Sequence, residues 1–229
     1  MSRSIVPSSA TEVAAFLQQV RTLPAKTPQG RLIFALDATA SRQPTWDQAC
    51  ALQTAMFAAV AEIGGLKVQL AWYRGQGEFQ SSDWFTSANP LMQAMAEVRC
   101  AGGLTQIRRV LDHAARESKH YPINAVVFVG DCVEESPEDL YRRGGQLAVL
   151  GIPVFSFHEG GEPSAAATLR ELSQITGGAY CPFDQGSAEQ LKLLLRAVAV
   201  YAAGGYTALE RFSHRHGKLV KQLTHQIRP

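Results

Sequence analysis

The chain lacks the features that would assign it a chemistry at sight. It has four cysteines, Cys50, Cys100, Cys132 and Cys181, and no Cys-x-x-Cys pair. Their scatter fits neither a zinc cluster nor a disulfide framework, and predicts reduced, mostly buried thiols in a cytoplasmic protein. No uninterrupted apolar run reaches the ~20 residues that a membrane-spanning helix needs. The Ala-rich stretch 49–64 is broken by Gln53, Thr54 and Glu62. Met1 to Ala10 holds one arginine and no apolar centre, so no secretory leader is expected there. Charged residues make up only 18% and the net charge is +2, too little to argue for nucleic acid. No internal repeat and no low-complexity segment stands out.

What is present is enough apolar material, 46% of 229 residues, for one α/β domain with short extensions. Leu32–Leu36 and Ala125–Val129 are continuous apolar runs, as expected of strands buried on both faces. Leu66–Tyr73, Ile152–Phe157 and Ala179–Phe183 read as further strands. Glu78–Trp84, after the Gly75-Gln76-Gly77 turn, reads as a short antiparallel edge strand.

Helices are expected between them. Pro44–Ile63 is helical with Gly64-Gly65 as its stop, and Asn89-Pro90 opens a short helix to about Val98. Ile107, Val110, Leu111 and Ala114 form one stripe. Ser136-Pro137-Glu138-Asp139 supplies a cap, a first-turn proline and two acids. Ser164–Ile175 precedes Gly177-Gly178, and Ser187 with Gln190 caps a last helix through Leu191, Leu194, Leu195 and Val198. Near the N-terminus, Ser9 and Glu12 read as a capping box before the stripe Val13, Phe16, Leu17 and Val20. The expected organisation is an N-terminal helix and linker (1–30), a main domain (31–203) and a basic, His-containing tail (204–229). From Tyr206 onward five cations face one acid, Glu210.

Alternating strands and helices predict a doubly wound, mostly parallel central sheet with helices on both faces. In such sheets ligands bind outside the carboxyl ends of the strands. Asp37 follows one apolar run and Asp131 another, so both are expected at that edge. In Asp37-Ala38-Thr39-Ala40-Ser41, alternate side chains of an extended turn point the same way. Thr105 follows Gly102-Gly103, which permits close backbone approach. Two carboxylates and three hydroxyls make a hard-oxygen set that favours Mg²⁺, with Mn²⁺ or Ca²⁺ as alternatives.

These residues resemble the metal-ion-dependent adhesion site of von Willebrand factor A (VWA) domains, D-x-S-x-S followed by a distant Thr and then Asp. The segments Gly151–Phe157 and Leu172–Tyr180 are similar to that family's fifth strand and to its helix followed by a Gly-Gly strand start. The resemblance covers roughly 31–201. It implies that Thr39, Ser41 and Thr105 bind the metal, that Asp37 and Asp131 act largely through coordinated water, and that a partner's Asp or Glu fills the open position. It also implies a non-enzymatic protein-binding module, with assemblies that include AAA+ ATPases as candidate partners. Two positions depart from the pattern: Thr39 stands for the first Ser, and Gly130-Asp131-Cys132 for Thr-Asp-Gly.

Other features carry plainer readings. Glu134 and Glu135 read as solvated acids, with tuning of the site as the alternative. His158-Glu159-Gly160-Gly161-Glu162 reads as a flexible rim loop, with a ligand-contacting role as the alternative. Trp72, Tyr73, Phe79, Trp84 and Phe85 read as core and edge packing, with a partner surface as the alternative. His214, His216 and His225 read as part of a solvated basic tail, with transition-metal binding as the alternative. A Mg²⁺-dependent hydrolase using the same edge is a competing function, but phosphatases of the haloacid-dehalogenase type need a second carboxylate where Thr39 stands. No phosphate-binding glycine loop follows Leu32–Leu36, and no activated nucleophile can be argued. A metal-independent structural adaptor is the third reading.

Overall fold

The computed structural model describes residues 30–41, 66–183, 188–216 and 218–227. The stripe at 13–20, the linker, the helix expected at 44–63 and the Ser187 cap lie outside the described residues.

Six strands form one sheet: β1 (Gly30–Asp37), β2 (Leu66–Arg74), β3 (Glu78–Phe85), β4 (Ala125–Gly130), β5 (Val154–Glu159) and β6 (Tyr180–Phe183). Their order is β3-β2-β1-β4-β5-β6. Every pairing is parallel except β2 with β3. That hairpin follows from the tight turn at 75–77, which leaves no length for a crossover.

The described helices are α1 (Ala88–Glu97), α2 (Ile107–Glu117), α3 (Pro137–Val149), α4 (Pro163–Thr176), α5 (Ala188–His216) and α6 (Lys218–Gln226). Because side chains alternate along a strand, β1 feeds two cores. Leu32, Phe34 and Leu36 pack with residues of α1, α5 and α6 on one face. Ile33 and Ala35 pack with those of α2, α3 and α4 on the other. The architecture is thus α/β, doubly wound and mostly parallel, with helices on both faces and an antiparallel edge strand.

The basic stretch from 204 is helical in its described part. Helix α5 passes through Gly204 and bends at Gly205, whose φ of 69° and ψ of −168° are not helical. Beyond the bend Leu209, Val220, Leu223 and Ile227 join the core. Tyr180 N donates to Gln226 Oε1 at 3.0 Å, tying α6 to β6. Arg211, His214, Arg215 and Lys221 face solvent.

Two helix starts differ from expectation. The Ser136 hydroxyl makes no bond to the α3 backbone and donates to Glu138 Oε2 at 2.7 Å. Helix α4 begins at Pro163, and its cap is Glu162, whose carboxylate accepts from Ser164 N and Ala165 N. Among the described residues no helix is long and apolar enough to cross a membrane.

Candidate functional site

The connections out of β1 and β4 leave in opposite directions, to β2 on one side and β5 on the other. A crevice forms at such a switch point. Asp37 ends β1 and Asp131 follows the last residue of β4, so the order of strands alone brings the two acids to one place.

The loop after β1 is pinned by backbone bonds. Ala38 N donates to Tyr73 O at 3.0 Å, and Ala101 N donates to Ala38 O at 3.1 Å. Thr39 N then bonds Asp37 Oδ1 at 2.8 Å. Alternate side chains do share a side: the Thr39 and Ser41 hydroxyl oxygens lie 3.1 Å apart in a hydrogen bond. Gly103 permits the next loop to approach, because a Cβ there would lie 2.1 Å from Gly75 O.

Thr105 is clamped from across the crevice. Its N–H donates to Glu134 Oε2 at 2.8 Å, and its Oγ1 accepts from Glu134 N at 2.9 Å. Glu135 Oε2 accepts from Ile107 N at 2.6 Å and Oε1 from Arg108 N at 2.9 Å. It therefore caps α2 from a loop that is distant in sequence, since the local cap residue Gln106 makes no side-chain cap bond. These acids are more than solvated charges: they hold Thr105 and the first turn of α2 against the loop after β4. Glu135 titrates above the usual carboxylate range because it is buried, although bonds from Arg108 N and Ile107 N oppose the shift.

Asp37 is fully buried beneath the crevice. Burial raises its pKa, bonds from Thr39 and Tyr73 lower it, and the nearby Asp131 charge adds to the rise. Its second oxygen accepts from Tyr73 OH at 2.9 Å. The parallel register sets Asp37 directly opposite Tyr73. The phenol, fully buried, titrates well above its ordinary value, first through desolvation and then through the Asp37 charge.

Asp131 is half-buried, and its Oδ1 is buried with no hydrogen-bond partner. Its main chain is held by His158, which belongs to β5 and is fully buried; it is not part of a rim loop. Nε2 donates to Asp131 O at 3.1 Å, since a carbonyl only accepts, and Nδ1 then accepts from Tyr180 OH at 2.9 Å.

Thr39, Ser41, Thr105 and Asp131 line one cavity of about 270 Å³, together with Ala40, Gly103, Cys132 and Glu134. Asp37 lies under it. The departure at Gly130 has a steric cause: a Cβ there would stand 2.7 Å from Phe128 Cζ and 3.4 Å from Asp37 Cβ. Cys132 replaces a glycine in the wall without adopting positive φ. Burial and the Glu134 charge raise its thiol pKa.

Among the described residues no group of three or more His, Cys, Asp and Glu gathers as a metal cluster. The donors here are of another kind, two carboxylates and three hydroxyls. Such a set fits a small hard cation, and the orphaned oxygen of Asp131 is a buried acceptor that a cation would satisfy. Tyr73 and His158 are supporting residues that their own sequence neighbourhoods do not reveal, whereas Glu134 and Glu135 are marked by their place just after Asp131.

No protein-family model matches the chain, and no curated protein matches it in sequence. Solved structures do resemble it. A von Willebrand factor type A protein from Catenulispora acidiphila superposes with a TM-score of 0.60 at 18% identity, over 77% of this chain and 43% of its own. The SpRpn10 VWA domain gives 0.61 at 11% identity, over 72% of this chain and 94% of its own. The PilB minor pilin from Streptococcus sanguinis gives 0.59 at 12% identity, over 86% and 65%. The chain thus spans less than half the length of the Catenulispora protein. At these identities the likeness is one of fold, and the fold is VWA-like.

Proposed function

We propose that this chain is a non-enzymatic, metal-dependent protein-binding module. Thr39, Ser41 and Thr105 would hold a divalent ion through their hydroxyls, with Asp37 and Asp131 supplying negative charge from beneath and beside. Mg²⁺ suits this donor set best, with Mn²⁺ or Ca²⁺ as alternatives. When bound, the ion supplies unneutralised positive charge and an open coordination position for a partner's Asp or Glu.

The observation that carries this reading is Asp131 Oδ1, buried and unpartnered beside three hydroxyls at the sheet's switch point. The chain's own residues prepare the place. Tyr73 and Thr39 N fix Asp37, Glu134 fixes Thr105, and His158 fixes the Asp131 main chain. Such outer contacts orient ligands and tune their basicity. An enzymatic role draws no support from Cys132, the thiol in the cavity wall. Its raised pKa is the reverse of nucleophile activation. The proposed setting is cytoplasmic, with a partner inside a larger assembly such as an AAA+ ATPase, as the adhesion-site resemblance implies; neither membrane nor nucleic acid is the proposed partner.

A metal-independent adaptor is a second reading. The Thr39–Ser41 bond and the Thr105–Glu134 clamp satisfy the hydroxyls without an ion. Capture of partners from the native host on immobilised protein, with and without chelator, separates the two. Partners lost with chelator and with Asp37→Ala support ion-dependent capture. Partners retained in both support the adaptor. Phosphate-ester turnover abolished by Asp37→Ala would reject both in favour of an enzyme.

A further inference from the structure

Beside the small cavity lies a larger one of about 630 Å³. Gly103 and Thr105 line both, so the two are contiguous. The rest of its wall is the 75–77 turn, Leu104, Gln106, Arg108 and Arg109. This wall combines two unusual properties, an acceptor without a donor and cations short of acids.

The acceptor is Gln106 Oε1. Gln106 is only 6% exposed, and its Nε2 donates to Arg74 O at 3.1 Å and to Gly75 O at 3.4 Å. Those bonds fix the amide's orientation, since the flipped amide would set Oε1 against two carbonyl oxygens. Oε1 is left buried with no partner. The cations are Arg108 and Arg109. The Arg108 side chain is 56% exposed, and among the described residues its one ion-pair contact is Glu135 Oε1, at 4.0 Å. Arg109 Nη1 donates to Gly77 O at 2.6 Å, and among the described residues no carboxylate pairs with it.

We propose that this cavity is a second subsite for the partner, one that reads an acidic segment rather than an isolated acid. The proposal rests on the carboxylate-capture reading above. One partner carboxylate sits at the ion site, and a second meets Arg108 and Arg109. A main-chain N–H between them donates to Gln106 Oε1. Leu104, 62% exposed, adds an apolar side to the same wall. Thr105 lies just before the α2 cap residue Gln106, and Arg109 lies in that helix's first turn, so a short stretch of chain sets the ion site and the cation side by side. Two acids of an extended segment that face the same wall stand two residues apart, roughly 6.6 Å along the chain. The matched pattern is therefore acid-x-acid.

Two fluorescent pentapeptides test this in Mg²⁺, Gly-Asp-Ala-Asp-Gly and Gly-Asp-Ala-Asn-Gly, read by fluorescence polarisation. Wild type is expected to bind the first about three- to fivefold more tightly, the scale of one exposed charge pair. Arg108→Ala weakens the preference, and Arg108→Ala combined with Arg109→Ala erases it. Gln106→Met weakens both peptides about fivefold with Mg²⁺ binding unchanged, and lowers the unfolding midpoint because the bonds to Arg74 O and Gly75 O go with the amide. Equal affinity for the two peptides in wild type overturns the proposal. So does a preference that survives the combined Arg108→Ala and Arg109→Ala substitution, or no binding of either peptide while calorimetry still shows Mg²⁺ binding. Absence of Mg²⁺ binding itself overturns the ion reading, and this proposal with it.

Discussion

Tyr73 donates its phenolic hydrogen to Asp37 Oδ2 at 2.9 Å, and both side chains are fully buried. The pair is built by the β1–β2 register, so one strand supplies an acid and its neighbour the group that aims it. Removing the hydroxyl by Tyr73→Phe leaves a buried carboxylate oxygen short of a donor. The expected loss is ~1–3 kcal/mol of stability in chelator, measured by urea unfolding. Mg²⁺ affinity should fall about tenfold, the usual scale for a lost outer contact. Unchanged affinity would detach Tyr73 from the site.

Asp37→Asn should separate the acid's cost from its use. Burial raises the Asp37 pKa above 3.8, so the folded state holds this proton more tightly than the unfolded chain does. The ion-free fold therefore loses stability as pH rises from about 3.8 through the raised folded value. Asn removes that loss and keeps an oxygen for Thr39 N. In chelator at neutral pH, Asp37→Asn should match or exceed the wild-type Tm. In Mg²⁺ it should lack the wild-type rise in Tm. A variant that unfolds earlier in chelator and still responds to Mg²⁺ would contradict both halves.

Glu135→Ala removes the remote cap of α2. A lost cap costs about 1–2 kcal/mol, and hydrogen exchange should rise first at Ile107 and Arg108. Exchange unchanged at those two amides would show that the cap is not held in solution.

His113 predicts an acid-side loss of stability. The ring is buried, tilted against Phe79 at 5.3 Å, and bonded through Nε2 to Gln69 Oε1 at 2.8 Å. Burial lowers its pKa below 6.5, so the unfolded chain takes up a proton first as pH falls. This contribution is intact above about 6.5 and is lost progressively as pH drops from there towards the folded value. His113→Phe orphans Gln69 Oε1 and should be less stable at neutral pH. Its unfolding midpoint should nevertheless change less between pH 6.5 and 5 than that of the wild type.

The sequence made the sheet legible because buried parallel strands appear as unbroken apolar runs, as at Leu32–Leu36 and Ala125–Val129. It exposed β3 through the 75–77 turn, and it set Asp37 and Asp131 at strand ends, where topology joins them. What escaped it depends on register and tertiary contact. Nothing beside Tyr73 marks it as the donor to an acid 36 residues earlier. Nothing beside Glu135 marks it as the cap of a helix that starts 28 residues before it. His158 looks like the first residue of a polar rim, yet it ends inside β5 because Tyr180 OH and Asp131 O satisfy its ring. The cations and histidines from Tyr206 onward set that stretch apart as a tail. Charge pattern does not show that helix α5 bends at Gly205 and continues, or that Leu209, Val220 and Leu223 have core to bury against.

Calorimetric titration of Mg²⁺ into the wild type and Asp131→Ala, each first stripped with chelator, bears most directly on the site. The account predicts one saturable site in the wild type and none in Asp131→Ala, with matching unfolding curves in chelator. A flat wild-type titration up to about 10 mM, above the ~1 mM of weak modules that bind hard cations, would contradict it. So would equal heats from the two proteins.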